Sequence, residues 1–102
     1  SVTWIRAAFH GDTLVVENEG AAGAYHLGTM PPPCVKLAGI PIEDGFSQDG
    51  KSFLTMTSDY SKLEYGRRYY FNPVFHLCDV STGEAKASTI GPRESAARSL
   101  SE

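Results

Sequence analysis

The 102-residue sequence lacks the features that would assign it quickly to a functional class. No apolar run approaches the roughly 20 residues that span a bilayer. The glycine-rich phosphate-binding patterns G-x-x-x-x-G-K-[ST] and G-x-G-x-x-G do not occur. There is also no Asn-X-Ser/Thr site for N-glycosylation. Lys and Arg total 9 against 12 Asp and Glu, so the net charge is −3 and the basic surplus of a general nucleic-acid binder is missing. We therefore predict no membrane span and no nucleic-acid partner.

Helical periodicity of useful length is also missing before residue 92. Short runs of β-branched and aromatic residues are instead separated by Gly- and Pro-rich turns, which is typical of strands. The predicted strands are residues 1–9, 13–18, 24–28, 34–38, 53–58, 69–71, 74–80 and 85–90. This pattern predicts an all-β fold, a small β-sandwich or partly open barrel of about six to eight short antiparallel strands.

The segments between these strands are predicted as turns and loops. Residues 18–23 and 39–52 are expected to be loops, the second being the longest, and residues 59–66 one helical turn or a compact loop. Pro73 cannot donate to a ladder and marks a bulge, an edge or a bend, while Gly83 closes a hairpin with a bulge. We expect residues 1–91 to form a single β domain and residues 92–102 a short C-terminal helical turn or frayed tail.

Two cysteines, Cys34 and Cys78, are present. A disulfide between them would close a long loop and stabilise the fold by roughly 4 kcal/mol in the chain-entropy model. The alternative is a pair of buried reduced thiols. A disulfide would favour a secreted or extracellular location, with a cytoplasmic one as the alternative. The chain begins at Ser1 without an initiator Met, which fits removal of an upstream segment and loss of Met from a cytosolic protein equally well.

Residues that could carry chemistry do not form a recognised motif. No pair among His10, His26 and His76 has the spacing of zinc ligands. His76 and Cys78 share a strand face, but at a separation that is long for a hydrogen bond. The loop acids Glu43, Asp44 and Asp49 match neither a calcium loop nor a carboxylate pair facing across a cleft. We therefore predict no catalytic residue, no cofactor and no metal site, and we keep a small metal- or thiol-dependent enzyme as a second alternative.

The most suggestive cluster combines tyrosines and arginines, residue types that are enriched at interface hot spots. We predict a partner-binding surface of Tyr60, Tyr65, Arg67, Arg68 and Tyr70, with a second contribution from the loop residues Glu43, Asp44, Phe46 and Asp49. The competing interpretation is structural: Tyr69 and Phe71 lie in the core while Tyr70 and the arginines cover it from outside.

These observations together predict a non-enzymatic, small secreted binding domain that recognises a protein partner. An effector, an inhibitor or an assembly component would all fit. The first alternative is a carbohydrate-binding module that uses Tyr60, Tyr65 and Tyr70 as a stacking platform. A homodimer formed through an exposed edge strand is also compatible with the pattern.

Overall fold

A computed structural model describes residues 6–18 and 20–95, and in these residues all regular structure is antiparallel β. The prediction of an all-β fold is confirmed. The strands form three open sheets with the orders β1-β2-β3-β4, β10-β9-β6-β5 and β11-β8-β7. Within the described ranges no helix is long and apolar enough to cross a bilayer.

The first sheet covers one side of the molecule. It contains β1 (Arg6–His10), β2 (Thr13–Asn18), β3 (Ala21–His26) and β4 (Cys34–Lys36). The predicted turn at residues 10–12 is confirmed, because His10 pairs with Thr13 and leaves a two-residue connection. Alternation directs Val15, Ala22 and Ala24 to the inner face, where all three are buried.

The middle sheet is the centre of the fold. It contains β5 (Ile40–Phe46), β6 (Ser52–Thr57), β9 (Val74–Asp79) and β10 (Ala85–Ile90). Phe53 and Cys78 are fully buried in the cluster shared with the first sheet. Met56, which alternation places on the other face of β6, belongs to a second cluster with Ile42 and Tyr70. Because both faces of this sheet are covered, β6 and β9 carry apolar residues at positions that point to either face.

The third sheet contains β7 (Tyr60–Glu64), β8 (Arg67–Phe71) and β11 (Glu94–Ser95). The chain passes from this sheet to the middle one at Asn72-Pro73, so of the bulge, edge or bend predicted at Pro73 the structure has the bend. Gly83 closes the β9–β10 connection with a φ of 79°, and a register shift follows between Ala85 and Ala87, which confirms the predicted hairpin with a bulge.

Several predicted loops are strands, and the expected number of strands was therefore too low. Ala21–Gly23 belong to β3, half of residues 39–52 form β5, and residues 60–64 form β7. Each gains a neighbour across the sheet that supplies its backbone hydrogen bonds. The helical turn expected after Pro92 is wrong for Glu94–Ser95, which form a strand paired with β8. Residues 96–102 lie outside the described ranges.

The predicted disulfide is absent, since Cys34 and Cys78 are both free thiols. Cys34 is exposed on β4, where it pairs with Tyr25 on the outer row of the first sheet. Cys78 is completely buried on β9, between the first and middle sheets. The first sheet separates the two sulfur atoms, so no bridge can form without displacing a strand.

Candidate functional site: an exposed β-hairpin

The feature that stands out is the hairpin formed by β7 and β8. Its register pairs Tyr60 with Phe71 at the base and Glu64 with Arg67 at the end, which leaves Tyr65-Gly66 as a two-residue turn. The φ angles of Tyr65 and Gly66 are 53° and 76°. Positive φ at both central positions is the signature of the type I′ turn, whose twist matches that of the flanking strands.

Tyr65 is an unusual residue for this position. Type I′ turns favour Asn, Asp and Gly, because a bulky side chain at positive φ crowds its own backbone. Such strain costs about 1 kcal/mol or more. The Tyr65 side chain is also 97% exposed, so no packing in the described structure offsets the strain. The turn therefore holds an aromatic ring in solvent at an energetic cost.

One face of the hairpin carries the cross-strand pairs Tyr60/Phe71, Lys62/Tyr69 and Glu64/Arg67. The rings of Tyr60 and Phe71 stack with centroids 4.5 Å apart and planes 10° apart. Tyr60 remains 59% exposed above Phe71. Lys62 Nζ lies 3.1 Å from Glu64 Oε2, an exposed ion pair of little energetic weight. This face is mixed in character, with flat aromatic surface at its base and charges near its tip.

The other face anchors the hairpin to the body. Tyr70 is only 5% exposed and lies in the cluster with Ile42 and Met56. Its predicted place on the binding surface is therefore wrong, and so is the competing interpretation that put it outside the core. Further along this face, Arg68 Nη1 donates to Ser61 Oγ at 2.9 Å, and Leu63 beside it is 62% exposed.

The base of the hairpin is tied by hydrogen bonds. Asn72 Nδ2 donates to Asp59 Oδ2 at 2.9 Å, and the Asp59 backbone N–H donates to the Phe71 carbonyl at 3.0 Å. The Asn72 N–H in turn donates to the Arg93 carbonyl at 2.9 Å. These bonds join the two ends of the hairpin to each other and to the connection that precedes β11.

The other predicted site residues lie on β5 and its turn, in a different sheet. Glu43 and Asp44 are exposed, whereas Phe46 packs edge-on against Phe53 with centroids 4.8 Å apart. Asp49 accepts hydrogen bonds from Ser47 Oγ at 2.7 Å and from the Lys51 N–H at 3.0 Å. Phe46 and Asp49 thus have structural roles, and this segment does not join Tyr60, Tyr65, Arg67 and Arg68 in one site.

The histidines are dispersed and engaged in separate hydrogen bonds. His10 bonds the Gln48 carbonyl and His26 the Val80 carbonyl, through Nε2 at 3.0 and 2.8 Å. His76 lies between Thr57 Oγ1 at 2.9 Å and Ser88 Oγ at 2.8 Å.

The thiol of Cys78 is 3.5 Å from Thr55 Oγ1. In the part of the chain that the structure describes, no three His, Cys, Asp or Glu residues are grouped as a metal site would require.

Leu63 belongs to the exposed hairpin but was not among the predicted site residues. The available signal was the Tyr65-Gly66 dipeptide between two runs of similar length. With Asn in place of Tyr65, that dipeptide would have been the strongest short-range indication of a hairpin.

No protein-family model matches the chain, and no curated protein and no solved structure is significantly similar to it.

Proposed function

We propose that this chain is a non-enzymatic binding domain that recognises a protein partner through the β7–β8 hairpin. The observation that carries the proposal is Tyr65, an aromatic residue held at positive φ and 97% exposed at the hairpin tip. Backbone strain of this kind is concentrated at active sites, ligand-binding segments and switch regions. The contact surface wraps around the hairpin, with Tyr65 at the tip, Tyr60 and Arg67 on one face, and Leu63 and Arg68 on the other.

A protein partner suits the chemistry of this surface. Tyr65 and Leu63 offer apolar area, and Arg67 beside the turn offers a guanidinium group, the combination found at interface hot spots. β7 is also the edge strand of its sheet, so its outer backbone groups can accept an added strand. An effector, an inhibitor or an assembly component would each use such a projecting edge.

We keep a secreted location as part of the proposal. The two free thiols remove the disulfide that was its first motivation.

The test is a Tyr65→Asn variant. Asn adopts positive φ readily in a type I′ turn, so the hairpin is retained while the ring is lost. We expect the variant to be at least as stable as the wild type, and its affinity for the partner to fall by about thirtyfold, the loss typical of a hot-spot residue. Partners are captured on immobilised protein from extracts of the source organism, identified by mass spectrometry, and titrated against each variant by biolayer interferometry.

The matched control is Met30→Gln, which removes an apolar side chain that is 84% exposed and lies outside the hairpin. Its affinity should equal that of the wild type. Equal retention of the captured protein by the wild type and both variants would show that the tip is not the contact. A partner lost from both variants alike would indicate nonspecific apolar adsorption.

A carbohydrate-binding module is the second candidate, favoured by the exposed ring of Tyr60 on its stacked neighbour Phe71. The burial of Tyr70 leaves this platform with fewer rings than a three-tyrosine surface would have. A glycan array separates the two candidates: a hit that is lost in Tyr60→Ala and kept in Tyr65→Asn would support sugar binding and contradict the proposal of a protein partner.

A further inference from the structure

The outer face of the first sheet carries an apolar groove that the hairpin does not explain. Its volume is about 560 Å³, within the range of about 300–1,000 Å³ that is typical of small-molecule sites. Its walls come from alternate residues of β2, β3 and β4, which the sheet register places in adjacent rows. The lining residues used below are Leu14, Val16, Gly23, Tyr25, Cys34 and Lys36.

Gly23 forms the floor of the groove. It lies in the interior of β3 between Val16 on one neighbouring strand and Lys36 on the other, so a row of side chains is interrupted at its centre. Glycine inside a strand weakens the sheet and often marks a place where a ligand approaches the backbone. A Cβ atom at this position would lie 3.2 Å from Cys34 Sγ. A larger side chain at residue 23 would therefore crowd Cys34 and occupy the floor of the groove.

The apolar surface continues beyond the groove. Leu14 pairs with Phe9 on β1, whose ring is 66% exposed, and Leu27 at the other side is 42% exposed. Contiguous exposed apolar surface of this kind indicates a binding site. Leu14, Val16 and Tyr25 are half-buried between these two exposed ends, so the strip can accommodate an elongated apolar chain.

The polar groups of the groove are few. Of the described residues that line it, Lys36 is the only charged one, and its side chain is exposed. Tyr25 and Cys34 face each other across β3 and β4, and the hydrogen bond between their side chains raises the pKa of the Tyr25 hydroxyl above its ordinary value. The groove thus combines a long apolar wall with a single ammonium group.

We propose that this groove binds an amphipathic carboxylate of the fatty-acid type. Its hydrocarbon chain lies over Gly23 between Leu14, Val16 and Tyr25, and its carboxylate lies at Lys36. We assign a negative charge to the ligand because Lys36 is the one cation among the lining residues. We assign it a long hydrocarbon chain because the apolar strip is continuous. This site is separate from the hairpin and does not depend on the function proposed for it.

The experiment uses dodecanoate as the probe, below its micellar concentration, with dodecylammonium and dodecanol as chain-matched controls. Binding to the intact protein is measured by calorimetry. Occupancy of the groove is read from Cys34, the exposed thiol on its wall, as protection from alkylation by iodoacetamide. Cys78 is fully buried and serves as the internal reference, expected to react only after unfolding in urea.

We expect dodecanoate to bind more tightly than either control and to slow Cys34 alkylation. Shortening the chain to decanoate should weaken binding by about fourfold for each buried methylene. Lys36→Gln should weaken dodecanoate binding by about two- to fivefold, the effect of an exposed ion pair, and should leave dodecanol unchanged. Lys51→Gln removes an exposed lysine from outside the groove and is the matched control.

A Gly23→Val variant should lose binding because its side chain occupies the floor. If this variant fails to fold, wild-type protein carboxamidomethylated at Cys34 provides the same block. Equal binding of the anionic and cationic probes, or full binding by the blocked protein, would overturn the proposal. So would a protein that sediments as a dimer and protects Cys34 without any probe, since a second copy would then cover this face.

Discussion

Two glycines with the same backbone angle, Gly39 and Gly66, show how a residue's surroundings decide what its conformation requires. Both have φ of 76°. A Cβ atom on Gly66 would meet nothing within 4 Å, whereas one on Gly39 would collide with the backbone carbonyl of Met56 on β6. Residue 39 therefore requires glycine for two reasons, its positive φ and the close approach of β6. Residue 66 requires glycine for its positive φ alone.

The first prediction compares Gly66→Ala with Gly39→Ala. Gly66→Ala should cost about 1–2 kcal/mol, the penalty of a left-handed residue with a Cβ. Gly39→Ala should cost about 3 kcal/mol or more, because the backbone of β6 must also move. Urea unfolding of both variants gives the free energies of unfolding. Equal losses would show that β6 can move away from residue 39 without cost.

The second residue-scale prediction concerns Asp49. Hydrogen bonds from the Lys51 N–H and then from Ser47 Oγ hold the pKa of Asp49 below its ordinary value. A carboxylate with a lowered folded pKa adds stability above the unfolded value of about 3.9, and this stability is lost as the pH falls through the folded pKa. Asp49→Asn should therefore have a lower Tm than the wild type at pH 7 and at pH 5.

That difference in Tm should shrink from about pH 4 downward and vanish below the folded pKa of Asp49. Calorimetric scans of wild type and Asp49→Asn from pH 7 to pH 2 measure it. Glu43→Gln, which removes an exposed carboxylate from β5, is the control for loss of a negative charge. A difference that stays constant to pH 2 would assign the effect of Asp49→Asn to geometry rather than to charge.

At the scale of elements, the sequence predicts strands well where packing and local preference agree. β2 and β10 have the predicted bounds, and β6 and β9 differ from theirs by a residue at one or both ends. These runs alternate or consist of β-branched and aromatic residues. The same agreement placed the turn at Gly83, because glycine adopts the φ of 79° found there at no steric cost.

β5 and β7 were missed because tertiary pairing overrides their composition. β5 contains Pro41, Gly45 and an Asp44 at φ of 58°, residues that are depleted in strands. Gly45 is needed there because a Cβ would lie 2.6 Å from the ring of Phe53. β7 becomes a strand because it pairs with β8 along its whole length. Neither contact can be read from the residues of the strand itself.

The exposed hairpin gives the element-scale prediction. The stacked rings of Tyr60 and Phe71 should couple with about 0.5–1.5 kcal/mol in a double-mutant cycle of alanine substitutions. The free energy of opening β7, measured by amide hydrogen exchange in each variant, is the readout. The control cycle pairs Tyr60 with Leu63, which lies on the other face of the same strand and should couple by less than about 0.5 kcal/mol. Equal coupling in both cycles would mean that the stack adds nothing specific.

At the scale of the whole molecule, the three sheets differ in how many buried contacts hold their strands in place. β6 and β9 are the inner strands of the middle sheet, with a neighbour on each side and with side chains packed in both core clusters. β7 is an edge strand whose five residues are all exposed. Among the residues of this sheet whose burial the structure describes, Tyr70 on β8 is the only one that is buried, and it lies in the second core cluster. Few buried contacts and exposed backbone bonds are the marks of a segment that opens on its own.

This difference predicts an order of opening. Amides of β6 and β9 should exchange with the free energy of global unfolding, and those of β7 with a clearly smaller one that depends little on urea. Met56→Ala, which removes a buried side chain from the cluster that also contains Ile42 and Tyr70, should lower the global value by about 2–5 kcal/mol. Leu63→Ala should leave the global value unchanged, because that side chain lies outside the core. If β7 exchanged with the same free energy and urea dependence as β6, the hairpin would be part of the cooperative core. Its tip could then not adjust to a partner without unfolding the domain.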